Sequence, residues 1–228
     1  MAFRVLMIGG TGQVDGAVVH ALLAEPSCAE VVMVNRKPAA LPESPRLRQF
    51  TADTAADGFA AEVASFAQRL VTLGDRVAGA CCVGVGKGSL NWSAEELKAL
   101  EIGVVGGFAR GCHDGGIAEF ALLSAVGSNR NSRIRYVRMM RLKEEAVEAI
   151  GFKRLTIFRP GIIGGNIHTP GYVAALGRLV PGPYGTIEQD DIGRAFVAEL
   201  MNNSRPKGIT YLGNGEMKCR SRALAERR

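Results

Sequence analysis

Apolar runs of strand length alternate with amphipathic runs of helical spacing along most of this chain, and that alternation limits its fold more than any other feature. FRVLMIGG reads as a buried strand ending in glycines, and GQVDGAVVHALLAE then changes to helical periodicity. EVVMVNR and the weaker LRQFTAD give a second and third strand, FAAEVASFAQRL a helix, and RVAGACCVGVG a fourth strand entering another glycine-rich turn. SAEELKALEIGVVGGFARGC opens on a capping box, Ser93 with Glu96, and predicts one long helix. IAEFALLSAVG is a strand, RYVRMMRLKEEAVEAIG a helix closed by Gly151, and RLTIFRPG a strand stopped by proline. IEQDDIGRAFVAELM and GITYLG add a last helix and strand.

Parallel crossover units follow from this order, so the expected fold class is α/β: a doubly wound parallel sheet (Rossmann fold) with its ligand at the carboxyl ends of the strands. A chain of 228 residues can build one sizeable core, and 1–228 reads as a single domain. The glycine- and proline-rich region 161–188 reads as irregular loops over a substrate cleft, and 216–228 as a polar tail.

Hydrophobic residues at 47% and charged residues at 22% fit a globular protein, and no run approaches 18 uncharged apolar residues, so no membrane span is expected. The first strand begins at Phe3, which leaves no room for a leader and makes the cytoplasm the default expectation. Cys28, Cys81, Cys82, Cys112 and Cys219 include no CxxC pair, and His20, His113 and His168 have no ligand spacing, so no metal site is expected. Cys81 and Cys82 read as small buried hydrophobes. Asp190 and Asp191 precede a helix and read as capping residues rather than acid catalysts. The net charge of +6 suits acidic partners, a phosphorylated cofactor among them.

In GGTGQVDG, Gly9 and Gly12 form GxxG between strand and helix, where backbone N–H groups at the helix start can meet a pyrophosphate. An acidic residue ending the second strand would hold the ribose of NAD; Asn35, Arg36 and Lys37 stand there instead, which favours NADP(H). Arg135, Arg138 and Arg141 share a helical side roughly opposite Tyr136 and Met140, while Met139, Ala146 and Ile150 form its apolar stripe. That arginine side reads as a solvated face or a contact for an acidic protein; without interleaved aromatics it does not indicate nucleic-acid binding.

GGTGQV, NRK, Asp53, CCVG, LLSAVG, the tyrosine opening the next helix, FRPG and DDIGRA occur in the order seen in atypical short-chain dehydrogenases/reductases. The chain resembles the branch with the Tat-interacting-protein and NmrA-like relatives, from Phe3 to about Gly215. The resemblance implies that Gly9, Thr11, Gly12, Gln13 and Val14 surround the pyrophosphate and that Arg36 meets the 2′-phosphate. It also implies that Asp53 reaches the adenine, that Cys82, Val83 and Gly84 flank its ribose, and that Pro160 to Ile163 lie near the nicotinamide.

By the same resemblance Ser124 orients a carbonyl substrate and Tyr136 transfers its proton, but Met140 stands where the family has lysine. Lys143 lies about 10 Å along the helix from Tyr136, too far to hold the same ribose. Asp15 stands where the family has a glycine that packs the helix on the strand, and Gly16 could partly restore that packing. The expected function is therefore an NADP(H)-binding short-chain reductase of low activity; the alternative is a non-catalytic cofactor-binding sensor or assembly subunit.

Overall fold

The computed structural model describes residues 2–9, 12–84, 92–165, 169, 171–180 and 182–227. In chain order the strands are β1 (Phe3–Ile8), β2 (Cys28–Asn35), β3 (Leu47–Thr51), β4 (Arg76–Cys81), β5 (Glu119–Leu123), β6 (Arg154–Phe158), β7 (Ile162–Gly164), β8 (Thr186–Glu188) and β9 (Gly208–Leu212). The helices are α1 (Gln13–Ala24), α2 (Phe59–Val71), α3 (Ala94–Lys98), α4 (Val105–Asp114), α5 (Arg135–Glu148), α6 (Gly171–Arg178), α7 (Gln189–Met201) and α8 (Asn214–Ala225).

Seven strands pair in parallel in the order β3-β2-β1-β4-β5-β6-β9, which reverses direction between β1 and β4. This is the expected doubly wound sheet. Successive β1 residues serve opposite faces. Val5 and Met7 join a core with Val18 and Leu22 of α1 and Phe196 of α7, while Leu6 and Ile8 join one with Val63 of α2 and Phe108 of α4. A strand buried on both faces must be apolar throughout, which is why FRVLMI reads as a run rather than an alternation.

The helix opened by the Ser93–Glu96 capping box continues through a π-helical turn, Ala99–Val104, into α4. That turn buries Glu101 completely. Residues 161–188 hold more order than the expected loops: β7 pairs with β8, and α6 lies between them in sequence. The expected polar tail is the helix α8, which packs on α7 and buries Met217 and Leu224. Its apolar residues are too sparse among charges to show in the sequence, but two anchors on one face suffice to dock it.

The buried face of α5 also differs from expectation. It carries Met139, Met140, Lys143, Glu144 and Val147, not an apolar stripe through Ala146 and Ile150. Two charged residues occupy core positions because other elements bring opposite charges to them.

Candidate dinucleotide-binding cleft

The carboxyl ends of β1, β2, β4 and β5 open onto one cleft of about 750 Å³ at the point where the strand order reverses. At its floor Gly9 has φ +93°, and a Cβ there would stand 2.7 Å from the Val83 nitrogen. Only glycine lets the end of β1 lie so close to the end of β4. The Gly9 N–H donates to Asn35 Oδ1 at 3.0 Å, tying β1 to β2. Asn35 Nδ2 is buried with no partner among the described residues and belongs to the cleft wall.

Gly12 caps α1, and its N–H donates to Asp15 Oδ2 at 3.0 Å. Asp15 is 7% exposed. Burial pushes its carboxyl up to about 7, against the downward pull of the Gly12 and Asp15 N–H groups and of Lys143. One amide of the anion-binding turn thus already holds a side-chain oxygen. Gly16 does not restore close packing, because a Cβ there would meet nothing within 4 Å. The close approach is made by Gly193 of α7, where a Cβ would stand 2.6 Å from the Ala17 carbonyl oxygen.

Gln13, Val14, Arg36, Cys82, Gly84 and Ile163 line the cleft. Arg36 is exposed at the end of β2. Asp53 is an exposed turn residue whose Oδ1 accepts the Ala55 N–H at 3.0 Å, and its neighbour Thr54 faces the cleft. Pro160 is buried behind the wall, its carbonyl accepting the Val126 N–H at 2.9 Å. Thr11 and His168 lie outside the described residues.

Tyr136 is in the first turn of α5, and Met140 follows it one turn on along the same wall. Burial raises the Tyr136 phenol above its ordinary value; Lys143 opposes that rise and Glu101 adds to it. The net effect keeps the phenol protonated at neutral pH. Lys143 was expected to be out of reach, yet it lines the cleft with Tyr136. Helical side chains lean toward the N-terminus, and a four-carbon stem carries the ammonium back along α5. Its Nζ lies 2.8 Å from Glu101 Oε2 and donates to the Val83 carbonyl at 3.3 Å. Burial depresses the Lys143 ammonium, but Glu101 and Tyr136 outweigh burial and keep it charged.

Ser124 follows β5 and donates its hydroxyl to Glu144 Oε1 at 2.6 Å. Glu144 is sealed from solvent and also paired with Arg159 at 2.6 Å and Arg141 at 3.1 Å. Ser124 therefore meets the cleft as an acceptor. On the outer side of α5, Arg138 donates to the Ser132 carbonyl, and Arg141 meets Glu145 and Glu148 besides Glu144. Among the described residues no cluster of His, Cys, Asp and Glu could hold a metal, and no helix is long and apolar enough to cross a membrane. Cys28, Cys81, Cys82 and Cys112 are buried free thiols, and Cys219 is exposed.

Sequence reasoning missed Glu101 and Glu144. Glu144 stands eight residues after Tyr136, on its helical face, a spacing that could have marked it. Nothing in the sequence around Glu101 distinguishes it from the solvated glutamates before it.

The strand order and the cleft at its reversal define a doubly wound dinucleotide-type (Rossmann) fold. The WbmH enzyme of Bordetella bronchiseptica, solved in complex with NAD+, matches with a TM-score of 0.69 at 16% identity, over 98% of this chain and 80% of that one. No family model matches the sequence. The chain belongs to the Fmp52 family: it is 30% identical over 203 residues to protein fmp52-1, mitochondrial, of Aspergillus oryzae, covering 84% of this chain and 83% of the relative. It is 26% identical over 220 residues to protein fmp52, mitochondrial, of Emericella nidulans, covering 90% and 91%. These relatives are named mitochondrial, which overturns the cytoplasmic expectation. That expectation rested only on where the first strand begins, and the position of a strand carries no address.

Proposed function

We propose that this protein binds NADP(H) along the cleft and slowly reduces a small carbonyl compound, with Tyr136 as proton donor. One observation carries the reading: the glycine turn, Arg36 and Tyr136 open onto the same continuous space. The residues fit a dinucleotide at two places. The close approach of Gly9 to Val83 leaves the end of β1 without a side chain, and the spare Nδ2 of Asn35 offers a donor beside Arg36 and Lys37. Gly9, Gln13 and Val14 would hold the pyrophosphate, Arg36 the 2′-phosphate, and Ile163 would border the nicotinamide.

Bound NADPH would supply the hydride. The chain's own part is to place the carbonyl and protonate it: Tyr136 gives the proton of its Oη to the substrate oxygen. Ser124, its proton committed to Glu144, has none left for the substrate carbonyl and can accept a hydrogen bond only from a donor such as the alcohol product or Tyr136. The reverse reaction needs a phenolate, which burial disfavours. Titrations with NADPH and NADH, followed by NADPH turnover against a panel of carbonyls, test the proposal. Binding is expected to favour NADPH, and Tyr136→Phe should abolish turnover. Tight NADH with weak NADPH would refute the phosphate assignment, and turnover unchanged in Tyr136→Phe would remove that residue from the reaction.

Met140 and the Ser124–Glu144 bond favour a second reading, a cofactor-binding protein without chemistry. Met140→Lys separates the two. A large gain in turnover over a silent wild type supports the second reading, whereas strong wild-type turnover excludes it.

A further inference from the structure

We infer that Asp15 is an internal anion seated in the pyrophosphate cradle, and that a dinucleotide enters only as this carboxyl takes up a proton. The inference rests on the cofactor reading above. Asp15 lines the cleft with Gly9 and Gly12, and its Oδ2 accepts the Gly12 N–H at 3.0 Å. A Cβ on Gly12 would stand 2.9 Å from that oxygen, so the carboxyl lies directly on the turn. Backbone N–H groups at a helix start are what a phosphate needs, and here one is already taken by an oxygen of the same charge. Two anions on one helix start repel strongly in a buried setting. A protonated carboxyl removes the repulsion and gains an O–H that can donate to a phosphate oxygen. The step balances as protein, dinucleotide and one proton on one side, and the protonated complex on the other.

The groups around Asp15 leave that proton as the easiest adjustment. From α5, Lys143 is the cation that acts on it, and Glu101 already pairs with that ammonium. From the end of β4 and just after it come Cys81 and Cys82, thiols that burial holds protonated. On the far side of α1, His20 and Gly16 border a separate shallow depression with Asp190 of α7. Arg194 of α7 is spoken for by Asp191 at 2.8 Å. At the end of β2, Arg36 and Lys37 face the cleft as exposed cations. Burial is the largest influence on Asp15 and brings its carboxyl to about 7, so the free protein has the proton within reach at neutral pH.

Isothermal titration of the full chain with NADPH at pH 6.5, 7.5 and 8.5, in buffers of different ionisation heat, tests the inference. The wild type should take up close to one proton at pH 8.5, and its Kd should weaken ~20-fold between pH 6.5 and 8.5 relative to Asp15→Asn. Asp15→Asn keeps an acceptor for the Gly12 N–H without the charge, and the comparison cancels titration of the cofactor's own phosphate. Asp15→Gly, also without a carboxyl, should show the same flat profile and covers the case in which the asparagine variant does not fold. A wild-type profile matching the variants, with no proton taken up, overturns the inference and leaves the cofactor reading standing. Binding by Asp15→Gly but not by the wild type at pH 6.5 also overturns it, since protonation then fails to open the cradle. No binding by any of the three chains at any pH refutes the inference and the cofactor reading together.

Discussion

Lys143 Nζ lies 2.8 Å from Glu101 Oε2, with side-chain exposures of 2% and 0%. This pair joins α5 to the π-helical turn, and a second contact of the ammonium, with the Val83 carbonyl, anchors the strand end that Gly9 packs against. Removing one charge leaves the other buried without its ion-pair partner. Lys143→Met or Glu101→Leu alone should cost about 3–5 kcal/mol of stability, whereas the double change should recover much of the loss. Urea unfolding of the four proteins measures the coupling, and additive losses would show that the two charges do not stabilise one another.

Most of the sheet was legible because its central strands are apolar on both faces and the turns carry glycine or proline, as in FRVLMIGG and RLTIFRPG. The glycine turn and the tyrosine were legible as motifs. What was hidden was charge paired through tertiary structure. Lys143 and Glu144 look like solvated helix positions until Glu101 and Arg159, distant in sequence, are brought against them. The helix α8 was missed for a related reason: its two apolar anchors stand among arginines and glutamates, and only docking on α7 shows what they bury.

Asp15 sets a pH dependence of stability that needs no ligand. Its folded value of about 7 lies above the ordinary aspartate value of about 3.9, so folding favours the protonated form. The stability due to this group is full below about pH 4 and is lost as pH rises to about 7. Asp15→Asn should therefore be more stable than the wild type at pH 8, by up to about 4 kcal/mol, and should lose that advantage toward pH 4. Chemical denaturation of both proteins at pH 4.5 and 8 tests this, and a pH-independent difference would contradict it.

Arg36 carries the predicted choice of cofactor. It is exposed at the end of β2 beside Asn35, whose backbone carbonyl accepts the Ala52 N–H at 3.0 Å and so fixes the strand end. Arg36→Ala should weaken NADPH ~10-fold or more, the size of a lost charge-assisted hydrogen bond, and leave NADH nearly unchanged. Equal losses for both cofactors in a fluorescence titration would place the arginine elsewhere than at the 2′-phosphate.

The close packing that the sequence suggests for Gly16 is made by Gly193 instead. Gly16, inside α1, has open space where a Cβ would go, and nothing in its backbone requires glycine. Gly16→Ala should therefore stabilise the protein by about 0.5–1 kcal/mol through the lower flexibility of alanine in the unfolded chain. Gly193, inside α7, lets that helix approach α1 until only 2.6 Å would separate a Cβ from the Ala17 carbonyl. Relieving that contact means moving α7 away from α1, along which Ile192 and Phe196 share a core with Val18 and Leu22. Gly193→Ala should cost about 1–3 kcal/mol, the range for overpacking a close interface. Opposite signs in urea unfolding would locate the glycine that brings the first helix into place on α7; equal effects would mean that neither contact governs the packing.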